Sequence, residues 1–294
     1  MPKLPDFLNP ILPKRLKSNA TIIPVVRLTG AIGMSGSAFR PGLSLATAAE
    51  PLERAFNVKS APAVALFVNS PGGSPVQSML IFKRIRALAE EKKKSVLVYI
   101  EDVAASGGYM LACAGDEVIA DASSIVGSIG VISASFGFEK AIEKLGIDRR
   151  VYTAGTKKMT LDPFSPEKPD DIRRLRAIQR DMHQTFIDLV KDRRSEVITG
   201  ADKDMFNGEF WTANQALPLG LVDKIGDAYT DIKERFGDDA IMRPIQQKRG
   251  FGLSRLPVGG GVEGTVPDML GVSAEDWVST LEARSLWSRY GLQP

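Results

Sequence analysis

The chain has 294 residues, of which 44% are hydrophobic and 25% charged, the balance of an ordinary globular protein with ample material for a core. Its 38 basic residues against 35 acidic ones leave a formal charge of +3. That gives no electrostatic case for nucleic acid, and neither an RNA-binding motif nor a zinc-finger spacing occurs. The single cysteine, Cys113, excludes an intramolecular disulfide framework and a cysteine-rich metal site. It reads as a buried core thiol.

The start of the chain lacks the apolar core of a secretory signal, and no apolar run approaches the ~18 residues of a membrane helix. The expectation is a cytoplasmic protein. Residues 1–20 mix Phe7, Leu8, Ile11, Leu12 and Leu16 with Lys14, Arg15 and Lys17. They read either as an irregular strap, given four prolines, or as a surface anchor at the inner face of a membrane.

Residues 21–240 carry the pattern of one α/β domain. Thr21 to Leu28 reads as a first strand, Ser44 to Phe56 as a helix, and Ala61 to Val68 as a strand buried on both faces. After the break at Asn69-Ser70-Pro71-Gly72-Gly73-Ser74, Val76 to Glu90 is helical and Val96 to Ile100 is a buried strand. The run Ala104-Ala105-Ser106-Gly107-Gly108-Tyr109 opens the next helix. Val118 to Ala120, Ile129 to Ser133 and Arg150 to Thr153 read as short strands, and Phe138 to Leu145 as a helix. Pro169 to Arg194 is a long amphipathic helix with Leu175, Ile178, Met182, Phe186 and Leu189 on its stripe. Thr212-Ala213-Asn214-Gln215 has the capping-box pattern. Alternating short apolar strands and helices imply a parallel sheet. Residues 241–294 read as a glycine-rich linker over Arg249 to Gly264 and a helical tail capped by Ser273. The tail carries Trp277, Leu281, Leu286, Trp287 and Tyr290, whose aromatics pack on their own domain or on a neighbouring subunit.

The chemistry centres on Ser106. A serine at a strand-to-helix turn, followed by two glycines, suits a nucleophile approached closely by substrate. The tight turn between strand and helix is the plainer reading of the same residues. A serine is a weak nucleophile until a base takes its proton. The one histidine, His183, flanks the stripe of the long helix and reads as an ordinary surface residue. A lysine from Ala154-Gly155-Thr156-Lys157-Lys158-Met159 is then the candidate base. It can serve only as the free amine, which burial in an apolar pocket favours. The hydroxyl of Ser128 could orient it. Gly72 and Gly73 can turn their N–H groups toward a ligand, as an oxyanion hole requires.

The motifs Asn69 to Gly73, Ala104 to Tyr109, Val126-Gly127-Ser128-Ile129-Gly130-Val131 and Trp211 to Asp223, in this order, resemble the signal peptide peptidase A family of serine–lysine peptidases. The resemblance spans residues 20–240. It implies a Clp-protease/crotonase-like fold of stacked β-β-α units. It also implies a serine endopeptidase acting on unfolded or hydrophobic peptides, signal-peptide remnants among them, through an acyl-enzyme. Carried over by position, Ser106 is the nucleophile, Lys158 the general base and Ser128 the residue that contacts its amine. Gly73, with Gly72 or Gly107, supplies the oxyanion donors. Lys157 is the competing base, and Lys158 is preferred as the third residue after Gly155. The resemblance implies no metal and no organic cofactor. It implies a tetrameric or octameric homo-oligomer whose active sites lie at subunit interfaces. The competing readings are a crotonase-type acyl-CoA hydratase or isomerase, with Glu101 and Asp102 as candidate carboxylates, and a catalytically silent scaffold ring.

Overall fold

A computed structural model describes residues 20–34, 42–245, 280, 281 and 284–292. The N-terminal strap or anchor, the glycine-rich linker, the Ser273 cap and Trp277 lie outside the described residues.

The first half of the sheet follows from its apolar runs. Strand β1 (Ile22–Thr29) leads through a loop to helix α1 (Leu45–Phe56). Ser44 and Thr47 cap that helix reciprocally, satisfying amides that no helical carbonyl reaches. Strand β2 (Ala63–Ser70) is followed by α2 (Pro75–Lys92), which starts with proline in the first turn and ends at Lys93 in the left-handed region. Strand β3 (Ser95–Ala105) is 11 residues long, reaching well past the expected end at Ile100. The short helix α3 (Gly107–Ala112) follows at once, then strands β4 (Glu117–Ala120) and β5 (Ile125–Gly127).

The second half is looser at first. Helix α4 (Glu139–Lys144) has no buried residue, and the long helix α5 (Pro169–Arg194) buries only Phe186, Leu189, Val190 and Arg194 near its C-terminal end. Helix α6 (Asp202–Met205), strand β6 (Phe210–Thr212), helix α7 (Ala213–Ala216), strand β7 (Lys224–Ile225), helix α8 (Ala228–Phe236) and strand β8 (Ile241–Pro244) complete the domain.

Among the described residues the strands form one sheet in the order β6-β5-β3-β2-β1-β8, with β4 pairing both β3 and β7. All pairs are parallel except β5 with β6. Period-2 alternation sends Val26, Leu28, Val64 and Leu66 to the face covered by α1, α2, α3 and α5. It sends Ile23, Val25, Ala63 and Ala65 to the face covered by Ala228 and Ile232 of α8. Helices on both faces explain why these strands are apolar throughout. Beneath α3, the buried Arg194 donates to both carboxylate oxygens of Asp223 and to the Gly220 carbonyl. Tyr109 donates to the Leu221 carbonyl, so α3 and α5 are tied to the same turn. Cys113 is buried, and burial pushes its thiol up to about 12, as expected of a core cysteine.

Three sequence expectations differ from the structure. Ile129 to Ser133 is not a strand, because the paired segment lies just before it, at β5, where Val103–Ala105 supply a ladder. Arg150 to Thr153 is not a strand either: these residues are exposed and pair with no strand among the described residues. Ile241–Pro244 pairs with β1, so the sheet runs a few residues beyond the expected boundary at 240.

Candidate active site

The long strand β3 does two jobs along its length. Leu97–Ile100 pair with β4, and Val103–Ala105 pair with β5. The register carries on past the strand end, where the Ser106 amide donates to the Gly127 carbonyl at 2.8 Å. Ser106 is thereby set beside Ser128, which is anchored through its own amide to the Glu209 carbonyl at 2.7 Å.

Both serines hold left-handed backbone, with φ of 53° at Ser106 and 51° at Ser128. A residue bearing a Cβ adopts this region at a cost of order 1 kcal/mol or more, and such strain gathers at functional sites. At Ser106 it turns the chain sharply from strand into helix, with Ser106 in the N-cap position and its side chain making no capping bond. The hydroxyl is left for the cleft rather than spent on the helix.

The glycines crowd around this serine. A Cβ on Gly72 would lie 2.8 Å from the Ser106 Cβ and 2.9 Å from the Gly107 nitrogen, and Gly72 has φ of +100°. At Gly73, φ is +139° and a Cβ would run into the Ile32 carbonyl, because Gly73 bridges to Ile32 in a short parallel contact. The Gly72 amide is aimed at the Ser70 hydroxyl, 3.3 Å away. Among the described residues the Gly73 and Gly107 amides donate to no backbone or side-chain acceptor. These two can serve an incoming oxyanion, with Gly107 at the start of the helix.

Ser106 and Ser128 open into a cleft of about 810 Å³. Pro71, Gly73 and Pro75 form one wall, and Gly130, Val131, Ile132 and Ala134 form another. Phe210, Leu286 and Tyr290 add apolar surface, and His183 and Arg289 are the ionisable residues that line it. The structure thus brings together Ser106, Ser128, Gly72, Gly73 and Gly107. It does not bring Lys157 or Lys158 into this cleft; both are exposed on the segment between α4 and α5. Glu101 and Asp102 are engaged elsewhere, Glu101 with Arg27 and Asp102 with the Asn69 side chain.

The cleft placement of three residues, His183, Arg289 and Tyr290, escaped the sequence reading. His183 is more than a helix-flank residue: its Nε2 lies 3.0 Å from the Ile129 carbonyl, tying α5 to the segment after Ser128. Arg289 and Tyr290 come from the tail, which docks on its own domain through Trp287 and Tyr290. Nothing local in the sequence marks either placement, since both depend on partners more than 50 residues away.

The model of Peptidase family S49 matches residues 88–240, a stretch that contains Ser106, Ser128 and Lys158. The chain belongs to peptidase family S49. Similarity to proteins named as proteases runs over more residues than that stretch. A putative protease of Methanocaldococcus jannaschii is 33% identical over 185 residues, 63% of this chain and 58% of that one. Protease 4 of Haemophilus influenzae is 33% identical over 231 residues, 75% of this chain and 35% of that one. A Brucella melitensis protein named Na(+)/H(+) antiporter NhaA is 52% identical over 291 residues, 98% of this chain. The chain spans 39% of that protein's length. No helix among the described residues is long and apolar enough to cross a membrane. This member of peptidase family S49 has an α/β fold.

Proposed function

We propose that the chain is a serine endopeptidase with a Ser106–Lys158 dyad, acting on unfolded or apolar peptides through an acyl-enzyme and needing no cofactor. The observation that carries this reading is Ser106 itself. It is held in strained backbone at a strand end, its side chain makes no capping bond, and among the described residues the Gly73 and Gly107 amides beside it donate to no acceptor.

The chemistry is then direct. The Ser106 Oγ attacks the scissile carbonyl carbon while the neutral Lys158 amine takes its proton. The Gly73 and Gly107 amides hold the oxyanion that forms. The resulting ammonium gives its proton to the departing amine as the peptide C–N bond breaks. Water, deprotonated by the same amine, attacks the ester, and the acid leaves as Ser106 recovers its proton. The apolar cleft walls favour apolar side chains near the scissile bond. Remnant signal peptides are one such substrate, in keeping with the putative signal peptide peptidase of Enterococcus faecium, 30% identical over 205 residues.

We place Lys158 in the cleft of an adjacent subunit. The segment that carries it exposes Phe136, Leu145, Ile147 and Tyr152 at 79%, 72%, 53% and 91%. A stretch this apolar and this bare suits burial against a second copy of the chain. A ring of such contacts gives the tetramer or octamer with shared sites.

Gly72 offers a sharp test of the oxyanion arrangement. Gly72→Ala puts a methyl group against both the Ser106 Cβ and the Gly107 amide. The expected loss in kcat is about 10²- to 10³-fold, the scale of one lost oxyanion donor, read by steady-state kinetics.

The reading as a whole is tested with a fluorogenic, unfolded, leucine-containing peptide. Turnover without added metal or nucleotide is the expected result. No turnover, together with calorimetric binding of coenzyme A, would replace it with the acyl-CoA reading.

A further inference from the structure

One face of helix α5 borders the catalytic cleft. Arg176, Gln179, Arg180 and His183 stand at i, i+3, i+4 and i+7 of that helix, the spacing of a single face. The contact between the His183 Nε2 and the Ile129 carbonyl, at 3.0 Å, pins this face against the segment that follows Ser128. Together with Val131 of that segment, the four side chains line a groove of about 180 Å³. Val131 and His183 also line the cleft that holds Ser106, so the groove adjoins the cleft across these two residues.

The groove carries positive charge without a counter-charge. Arg176 and Arg180 are exposed and one helical turn apart, where like charges repel. Elsewhere on α5, Arg173 pairs with Asp170, Arg193 with Asp116 and Arg194 with Asp223. Arg176 and Arg180 pair with no carboxylate among the described residues. No Asp or Glu among them lines either the groove or the cleft. The planar fork of a guanidinium matches a carboxylate, which it can take through two parallel N–H bonds.

A peptide that runs from Ser106 past Val131 and His183 enters this groove. We infer that the groove is a substrate subsite for a carboxylate, bound by Arg176 and Arg180 at a distance from an apolar scissile segment. This rests on the serine peptidase reading above. An Asp or Glu side chain of the substrate and its free C-terminus present the same two oxygens, and the test separates them.

The test compares kcat/KM for matched apolar peptides. In one set, glutamate or glutamine is placed at successive positions on both sides of the scissile bond, with the C-terminus amidated. In a second set, lacking acidic residues, the C-terminus is free or amidated and lies at increasing distance from the scissile bond. Wild type is expected to favour the carboxylate over its neutral counterpart about five- to tenfold at low ionic strength, at one position in one set. The preference should shrink at about 0.5 M salt. A preference in the first set assigns the groove to an acidic side chain, and one in the second set alone assigns it to the peptide end.

The double variant Arg176→Gln/Arg180→Gln should bring the ratio to about one, and Arg176→Glu/Arg180→Glu should bring it below one. Arg174→Gln removes the same charge from another face of α5 and should leave the ratio intact. Glutamine and arginine have similar helix propensity, so thermal unfolding of the glutamine variants is expected to match wild type. Equal turnover of charged and neutral peptides in both sets would overturn the proposal. So would a preference that survives the double variant, which would move carboxylate recognition to Arg289, on the tail side of the cleft. Failure of the underlying reading shows separately, as wild type that cleaves no peptide or Ser106→Ala that still does; either result removes the proposal with it.

Discussion

Ser106→Ala is expected to lower kcat for peptide cleavage by at least about 10⁴-fold, the scale seen when the nucleophile of a covalent mechanism is removed. The protein should fold as before. Alanine keeps the Cβ that already sits in left-handed backbone with φ of 53°, so the substitution adds no strain and leaves no cavity of consequence. The strain itself can be read separately. Ser106→Gly should be equally inactive, yet more stable than Ser106→Ala by about 1 kcal/mol in urea unfolding, because glycine occupies this region without penalty. Equal stability of the two variants would mean that the turn stores no strain worth measuring. Activity of either variant above about one thousandth of wild type would remove Ser106 from the chemistry.

Lys158→Ala should be nearly as damaging, about 10³-fold or more in kcat, whereas Lys157→Ala should stay within a few-fold of wild type. The stronger form of this prediction uses mixed oligomers. Ser106→Ala and Lys158→Ala subunits are each inactive alone. Dissociated, combined in equal amounts and reassembled, they should regain about one quarter of wild-type activity, because one site in four would pair an intact serine with an intact lysine from its neighbour in a head-to-tail ring. The exposed apolar residues Phe136 and Tyr152 should lose solvent exchange on assembly. Verified mixed oligomers without recovered activity would place serine and lysine on the same chain.

The sheet was legible in the sequence because its strands are buried on both faces. Ala61 to Val68 and Val96 to Ile100 read as continuous apolar runs, and they coincide with most of Ala63–Ser70 and with the first half of Ser95–Ala105. Helix α5 was legible to the residue, with proline at one end and Arg194 at the other. Its packing was less so. The stripe residues Ile178 and Met182 are 48% and 41% exposed, because only the C-terminal part of the helix packs on the sheet, through Phe186, Leu189 and Val190. Ile129 to Ser133 and Arg150 to Thr153 have strand-like composition, but a strand also needs a neighbour to complete its ladder. Ile241–Pro244, by contrast, found its neighbour in β1 across more than 200 residues, a pairing that no local pattern announces.

The site divides along the same line. Ser106, Ser128 and the glycines were visible because each motif marks a tight turn, and tight turns have a local chemical signature. The left-handed backbone at Ser106 was hinted at only by the glycines that follow it. His183 against the Ile129 carbonyl and Tyr290 against the Phe210 ring are meetings of distant segments. They became visible only when the sheet placed β5 beside β3 and the tail came to rest on the end of that strand.

The most direct test of the serine mechanism is chemical labelling. The wild-type protein would be treated with a fluorophosphonate, which reacts with activated serine hydroxyls, and digested, and the adduct located by mass spectrometry. A single adduct on Ser106, with peptide cleavage lost in proportion to labelling, is the predicted result. An adduct on another residue that tracks the loss of activity, or full cleavage by protein labelled completely at Ser106, would contradict it.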